Sequence, residues 1–503
     1  MGRRCERTNM KGRRLCNTMS MTRLLSLTLA AAGASGGLAQ LTNNPDGCIT
    51  DFDAAAGVDY FPDKAVVNFA QTFSVEYFPT YKVVNIASGS SNNSYVLYQC
   101  GTPVPTVDEP VQQYISVPVT TVATGTPDHI LRMELLGKRD TIVAYTGDAS
   151  RIGSPCVDAL VDDGTVVQAL TFDTVCGRDI IDNAALVNAS VEVTFGDVLN
   201  VSSCEGADPV LNAVQVLTYG EGGDTIGLGH GEAIKLFSLF YNLEAKGNEL
   251  FDEIETLWFC TENNAQGCTA KLDDSPTVAW FPFLPTDPTS NYYDTGSGYG
   301  APANATYYAQ AVENTGGTLL TCGDFGYTLM TDDEMLACFQ DADVCVMAAD
   351  YAEVLRYFDK DNVLDQLACV QNERVYDVTL SGQNAWFEAR QVEPHVLLED
   401  MVVVLHGDDF DFGIGAYERL LLRNVFTEQS DSGSYYPDVG TCTDPDAVPE
   451  LQGECETIIE FDTVCDGTIA ADEVDEQGSP ASGVVPTLSV LALAFVAAAA
   501  SLW

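Results

Sequence analysis

The chain has 503 residues, with 73 Asp or Glu against 23 Lys or Arg, and a formal net charge of −50 at pH 7. This length is enough for two lobes of ordinary domain size, each with its own core. A polyanion of this charge repels nucleic acid and bare anionic membranes, so we exclude nucleic-acid binding.

The first residues have the layout of a secretory signal. Residues 1–39 carry seven basic residues, then the apolar run LLSLTLAAA, then small residues at the predicted cleavage site. Met19 and Met21 are alternative start sites. Cleavage removes Cys5 and Cys16 from a total of sixteen cysteines and leaves fourteen, an even number.

Export predicts an oxidising compartment and up to seven disulfides. Cys260 and Cys268 are the first pair we expect. The secretory route also makes the N-x-S/T triplets candidate glycosylation sites, at Asn92, Asn188, Asn200 and Asn304.

The mature chain begins with strand patterns and continues with alternating strands and helices. Residues 40–104 contain FSVEYF, YKVVNIA and SYVLYQC, which predict an N-terminal β extension. In residues 105–229, ISVPVTTVA, DTIVAYT and AVQVLTYGEG read as strands, and a helix is predicted over 128–136. This alternation predicts an α/β lobe with a parallel sheet.

A single long helix is predicted over residues 230–262. Its apolar residues recur at alternating steps of four and three, interrupted only by Gly247, which is typical of one face of a helix. They are Leu236, Phe240, Leu243, Leu250, Ile254 and Leu257. We interpret the helix as a strut between two lobes.

The alternation of strands and helices returns in residues 263–407, which predicts a second α/β lobe ending in a helix from Trp386 to His406. Residues 408–483 are acidic and rich in Gly, Pro and Ser, as expected for a stalk. The apolar residues 484–503 have no charge after them, which favours a GPI-anchor signal over a simple tail anchor.

Aromatic residues cluster at the predicted strand ends, where open α/β sheets bind ligands. Such rings suit a bulky, partly apolar ligand. They are Tyr145, Tyr219, Trp280, Phe281, Phe283, Tyr292, Tyr293, Phe325, Tyr327, Trp386 and Phe387.

Enzyme signatures are poor, and a hydrolase or redox enzyme is the least favoured class. Neither a GxSxG elbow nor a GxxxxGK[ST] loop occurs after residue 39. The four histidines do not cluster, so no metal site is predicted.

The two lobes, the strut and the closing segment VTLSGQNAWFEARQVEPHVLLEDMVVVLH resemble the helical-backbone class of periplasmic substrate-binding proteins, which serve importers of cobalamin, haem and siderophores. Trp386, Phe387 and Glu388 match the start of the last helix in the cobalamin-binding member. Ala385 replaces an acid there, and Arg390 lies one place late.

The loop VAWFPFLPTDPTSNYYDTGSG is similar to that family's aromatic ligand-contacting loop, with Phe281 and Phe283 as the matching rings. Phe325 or Tyr327 stands where the family has a tryptophan. Arg151 and Arg390 are the expected donors to a ligand.

Together with the sequons, the anchor signal and the segments TYKVV and VLYQCGTP, the chain looks like the algal cobalamin acquisition proteins. The resemblance implies a cell-surface protein, without cofactor or metal, that captures cobalamin and passes it to a membrane transporter or an endocytic receptor. Two alternatives stay open: a ferric siderophore or haem as ligand, and a structural surface glycoprotein without a ligand.

Overall fold

The computed structural model describes residues 41–88, 91–108, 111, 113–173, 178–196, 214–217, 227–270, 275–281, 307–321, 331–357, 362–407, 417–431, 435 and 442–459. The strands are β1 (Phe73–Tyr77), β2 (Tyr81–Ser88), β3 (Ser91–Gln99), β4 (Gln113–Val117), β5 (Val122–Thr124), β6 (Ile142–Tyr145), β7 (Val167–Gln168), β8 (Leu170–Asp173), β9 (Arg178–Ile181), β10 (Val193–Gly196), β11 (Val214–Leu217), β12 (Thr277–Phe281), β13 (Thr318–Leu319), β14 (Val344–Met347), β15 (Val375–Asp377) and β16 (Arg423–Asn424).

The helices are α1 (Pro127–Leu135), α2 (Pro155–Asp162), α3 (Asn183–Asn188), α4 (Gly227–Tyr241), α5 (Glu244–Thr269), α6 (Tyr307–Asn314), α7 (Asp332–Phe339), α8 (Tyr351–Tyr357), α9 (Ala368–Gln371), α10 (Gln383–Ala389) and α11 (Pro394–His406).

Two sheets confirm the predicted pair of α/β lobes. The N-terminal lobe has the strand order β11-β10-β5-β6-β7, with every neighbouring pair parallel. The C-terminal lobe has the order β13-β12-β14-β15-β16, parallel except for β16. The buried strands are apolar, as parallel sheets covered on both faces require.

The long helix between the lobes is α5, which has 26 residues and is about 39 Å long. The prediction of one unbroken helix over 230–262 is wrong, because Asn242 has a φ of 57° and the chain reverses there. Helix α4 then packs against α5. A Cβ on Gly247 would lie 2.5 Å from the Ser238 Oγ atom, so the glycine permits the close approach of the two helices.

The N-terminal extension forms its own sheet in the order β1-β2-β3-β4. Strand β4 lies beyond residue 104, so the extension continues past the predicted residues 40–104. The pattern ISVPVTTVA is two strands in two different sheets, because Pro118 has no N–H to donate to a ladder. The extension docks on α4, whose Glu232 carboxylate accepts hydrogen bonds from the Asn68, Phe69 and Ala70 N–H groups.

The C-terminal segment, meaning residues 417–459, is not the predicted stalk where the structure describes it. Strand β16 joins the C-terminal sheet, and Leu421 and Leu422 are buried in the core. Disulfides Cys156–Cys442 and Cys260–Cys455 fix the rest of the segment. The expected pairing of Cys260 with Cys268 is therefore wrong.

Two further disulfides lie within single parts of the fold, Cys48–Cys100 in the extension and Cys345–Cys369 in the C-terminal lobe. The predicted closing helix from Trp386 to His406 is two helices, α10 and α11. The second begins at Pro394, which sets the first turn of a helix but cannot continue one.

Candidate functional site

A cavity of about 470 Å³ lies between the lobes. It sits beyond the carboxyl ends of β6, β14 and β15, which is where open α/β sheets bind ligands. The N-terminal lobe contributes Ile152 and Gly153. The remaining lining residues are Asp350, Glu353, Thr379, Ser381, Gly382, Gln383, Asn384, Ala385, Ser430 and Asp431.

The described lining is polar and acidic. Its charged side chains are Asp350, Glu353 and Asp431, and it contains no Lys or Arg among the residues that the structure places there. A Cβ on Gly382 would lie 2.5 Å from the Asp431 Oδ1 atom, and Gly382 has a φ of 82°. A larger residue at position 382 would therefore displace the Asp431 carboxylate.

Asp377, at the end of β15, holds together the two loops that carry the lining residues Asp350 and Thr379. Its buried carboxylate accepts hydrogen bonds from the Tyr351 N–H at 2.9 Å and from the Thr379 N–H and hydroxyl at 3.1 and 2.8 Å. The Arg423 Nε atom donates to the same carboxylate at 3.0 Å. The loops after β14 and β15 are thus joined by one buried charge, which pre-organises the cavity wall.

Helix α10 connects the lobes directly beside the cavity. The Asn384 amide donates to the Ser150 and Ile152 carbonyl oxygens at 2.8 and 3.1 Å. The Gly153 N–H donates to the Glu388 Oε2 atom at 2.7 Å. Glu388 is fully buried, so this predicted ligand-binding residue serves in the structure as a contact between lobes.

Four of the predicted aromatic residues lie inside the lobes. Tyr145, Trp280, Phe281 and Trp386 are each at most 1% exposed. The Trp280 ring lies 6.5 Å from that of Trp386, whereas Phe281 packs in another part of the core. None of the four lines the cavity, so ligand contact by them stays a prediction that requires a rearrangement to uncover them.

Two predicted residues pack with Arg390, which is 1% exposed. Its guanidinium carbon lies 5.1 Å from the ring centre of Trp386 and 5.0 Å from that of Phe387, which is half-buried. Its Nη1 atom donates to the Trp386 carbonyl oxygen at 3.1 Å. Burial lowers the pKa of Arg390 to about 9, which leaves it charged at neutral pH.

Arg151 is a predicted residue that directly precedes the cavity lining in sequence. Its side chain is 61% exposed and pairs weakly with Asp148, with 3.8 Å between Nε and Oδ2. The next two residues, Ile152 and Gly153, line the cavity. Arg151 is thus a cation one residue away from the acidic lining.

The other predicted ligand-contacting residues lie outside the described residues: Tyr219, Phe283, Tyr292, Tyr293, Phe325 and Tyr327. Of the sequons, Asn92 and Asn188 are exposed, whereas Asn200 and Asn304 lie outside the described residues. The signal over 1–39 and the apolar residues 484–503 also lie outside them.

The aromatic pattern at the strand ends did not predict the polar residues that line the cavity. Asp350 follows β14 by three residues and Thr379 follows β15 by two. The rule that ligands bind beyond the carboxyl ends of strands would have identified both.

The part of the chain that the structure describes holds no group of three or more His, Cys, Asp or Glu residues placed to bind a metal ion. Nor does any helix within those ranges have both the length and the apolar character to cross a membrane.

No protein-family model matches the chain, and no curated protein matches it. Among solved structures, it is similar to a periplasmic binding protein from Veillonella parvula, with 10% identity, a TM-score of 0.43, and coverage of 67% of this chain and 98% of the other. The periplasmic haem-binding protein HutB of Vibrio cholerae has 10% identity, a TM-score of 0.42, and coverage of 57% and 99%.

The periplasmic vitamin B12 binding protein BtuF of Vibrio cholerae has 10% identity, a TM-score of 0.37, and coverage of 57% of this chain and 96% of the other. These TM-scores lie below 0.5, and the architecture given above rests on the strand order of the chain itself.

Proposed function

We propose that the chain is an extracellular binding protein that captures cobalamin in the cavity between its lobes and holds it without reaction. The observation that carries this proposal is the position of the cavity. It lies beyond strand ends, and side chains of both lobes and the C-terminal segment line it.

The chemistry of the lining favours a ligand rich in hydrogen-bond donors. The carboxylates of Glu353 and Asp431 and the side-chain amides of Gln383 and Asn384 offer acceptors. The peripheral amides of a corrin supply matching N–H groups. A cobalamin is larger than a drug-sized ligand, so part of it would project from a cavity of about 470 Å³.

The same lining disfavours the alternative cargoes. The propionates of haem and the acidic groups of many ferric siderophores are anionic, and anionic ligands are usually held by Arg or Lys. The cavity presents Asp350, Glu353 and Asp431 instead, with no cation among its described lining residues.

The residue types in the described lining support binding without reaction. The described lining includes neither His nor Cys, and its Ser381 and Ser430 hydroxyls have no neighbouring imidazole in that lining to activate them. The described lining therefore supplies area and hydrogen bonds, and none of its residues is an activated nucleophile.

The cellular setting extends this proposal. The signal over 1–39, the sequons and the disulfides support a secretory route to the outer face of the plasma membrane. The apolar residues 484–503 would anchor it, with a GPI anchor favoured. A membrane transporter or an endocytic receptor would receive the cobalamin.

Titration of the purified secreted chain with hydroxocobalamin, haemin and the anionic siderophore complex ferric enterobactin tests this proposal. We expect saturable binding of hydroxocobalamin and weaker binding of the other two. Tighter binding of haemin or ferric enterobactin would mean that the cargo is that ligand instead of cobalamin. No binding of any of the three would leave the structural glycoprotein as the better interpretation.

The variant Glu353→Gln/Asp431→Asn tests the site itself. It removes two exposed carboxylates while keeping their shape, and we expect cobalamin affinity to fall about tenfold or more, as for lost charge-assisted hydrogen bonds. Asp341→Asn, at an exposed acid outside the described lining, is the matched control. Equal cobalamin affinities of the two variants would mean that the Glu353 and Asp431 carboxylates do not contact the ligand.

A further inference from the structure

The C-terminal segment is attached to both of the lobes that line the cavity and to helix α5. We propose that it is a covalent strap that limits how far the lobes can separate, so that ligand enters and leaves without a wide hinge opening. The part of this proposal that concerns ligand exchange rests on the proposed function, and the part that concerns lobe separation does not.

The strap is first fixed to the C-terminal lobe. Strand β16 pairs antiparallel with β15 at the edge of the sheet. The Leu420, Leu421 and Leu422 N–H groups donate to the buried Asp400 carboxylate on α11 at 2.7 to 2.9 Å. Further along, Tyr435 is 2% exposed, and its N–H donates to the Ser381 hydroxyl of the cavity lining at 3.0 Å.

The strap then reaches the N-terminal lobe. Cys442 forms a disulfide with Cys156 on α2, across 286 positions of sequence. The Arg139 guanidinium donates to the Pro445 carbonyl oxygen at 2.6 Å, which fixes the same stretch to the end of α1. The strap is thus bonded covalently to the lobe opposite to the one that it pairs with.

The connection between these two attachments is short. Tyr435 and Cys442 are seven residues apart, and seven fully extended residues span at most about 25 Å. While the Tyr435 contact and the Cys156–Cys442 disulfide both hold, the two lobes cannot move apart beyond that reach.

A third attachment joins the strap to the helix between the lobes. Cys455 forms a disulfide with Cys260 on α5. The Asn264 amide donates to the Glu456 carbonyl oxygen at 2.9 Å, and its Oδ1 accepts from the Ile458 N–H at 3.0 Å. Rotation of the N-terminal lobe about α5 must therefore also strain residues 442–455.

Two variants of the full secreted chain release the strap in different ways. Cys156→Ser/Cys442→Ser removes the covalent bond to the N-terminal lobe. Insertion of ten Gly/Ser residues after Gly440 keeps every disulfide and lengthens the tether. Cys48→Ser/Cys100→Ser is the matched control, because that disulfide lies within the N-terminal extension.

Lobe separation is measured without ligand, by hydrogen exchange of residues 150–154 and by small-angle X-ray scattering. The Gly153 N–H, which donates to Glu388 across the lobes, reports separation directly. We expect about tenfold faster exchange and a larger radius of gyration in both strap variants, and neither change in the control. If the serine variant does not fold, the insertion variant decides alone. Unchanged exchange in the insertion variant overturns the proposal.

Release of hydroxocobalamin, measured by stopped-flow, tests the ligand part. We expect several-fold faster release from the strap variants than from the control. Equal release with faster lobe exchange would overturn the ligand part of the strap proposal. If no variant and no parent chain binds hydroxocobalamin, the proposed function fails while the hydrogen-exchange result still decides whether the strap exists.

Discussion

Trp280 is the second-to-last residue of strand β12, and its side chain is fully buried. Its ring lies 4.7 Å from that of Tyr308 and 6.5 Å from that of Trp386. Large aromatic rings in such contacts contribute strongly to a core. The position at a strand end suggested a ligand contact from the sequence, but burial gives the ring a packing role in this conformation.

We predict that Trp280→Ala lowers the free energy of unfolding by about 3 to 5 kcal/mol, because it leaves a cavity in the core. Urea unfolding followed by circular dichroism measures this. Phe172→Ala is the control, since that ring is 60% exposed and its removal should change stability by about 0.5 kcal/mol or less. A Trp280→Ala protein of normal stability and weakened cobalamin binding would show that the ring contacts ligand instead.

At the level of whole elements, α4 and α5 show what apolar spacing can and cannot predict. The period continues from Leu236 to Ile254 because both helices bury a face against the same core, whereas Leu257 is half-buried and lies outside that core. The break between them falls at Asn242, whose positive φ leaves no trace in that period. The apolar spacing therefore predicted the buried faces of the two helices correctly, but it wrongly predicted that they form one continuous helix.

Asn242 is held by a buried polar network, which allows a specific test. Its side-chain amide donates to the Pro45 carbonyl oxygen at 2.9 Å and to the Gln99 Oε1 atom at 2.8 Å. We predict that both Asn242→Ala and Asn242→Gly destabilise the protein through these lost bonds. The alanine variant should be the worse by about 1 kcal/mol or more, because only glycine adopts a positive φ freely.

Chemical denaturation of the two variants side by side measures that difference. Both remove the same hydrogen bonds, so each serves as the control for the other. Equal stability of the two would mean that the helix break does not depend on the backbone conformation at position 242.

For the whole molecule, the core of the fold was predictable and the attachment of its end was not. Strand and helix patterns along the chain identified both lobes, since each element's own spacing records its buried face. The packing of residues 417–459 depends on partners such as Cys156 and Asp400, which are far away in sequence. Composition alone gave these residues the character of a stalk.

Buried carboxyl groups underlie part of that attachment. Glu393, the residue before α11, and Glu399 on α11 face the C-terminal segment. Glu393 accepts a hydrogen bond from the Gln452 N–H at 2.7 Å, and Glu399 accepts one from the Glu454 N–H at 3.3 Å. Burial raises the pKa of Glu393 to about 8 and that of Glu399 to about 9. Burial lowers the pKa of the neighbouring His395 to about 4, so it stays neutral above that pH.

These shifts predict that the protein loses stability as pH rises from 7 to 8. In the unfolded chain both glutamates are already ionised in this range, whereas the folded protein keeps them protonated until about pH 8 and 9. The stability that they contribute is complete below the unfolded pKa, declines as pH rises and is gone above the folded pKa. His395 changes the pH dependence of stability only below about pH 6.5, because its pKa in the folded protein is depressed.

Glu399→Gln should flatten this decline, because an amide keeps the acceptor for Glu454 and has no proton to lose. Each proton retained only by the folded state contributes about 1.4 kcal/mol per pH unit, so we expect the slope between pH 7 and 8 to fall by roughly that amount. Urea midpoints at pH 7.0, 7.5 and 8.0 measure the slope. Glu450→Gln, at an exposed position of the same segment, is the control and should leave the slope unchanged. The contradicting result would be a parent protein whose stability does not change between pH 7 and 8. It would mean that water reaches the two carboxyl groups in the folded state, so that they ionise there as freely as in the unfolded chain.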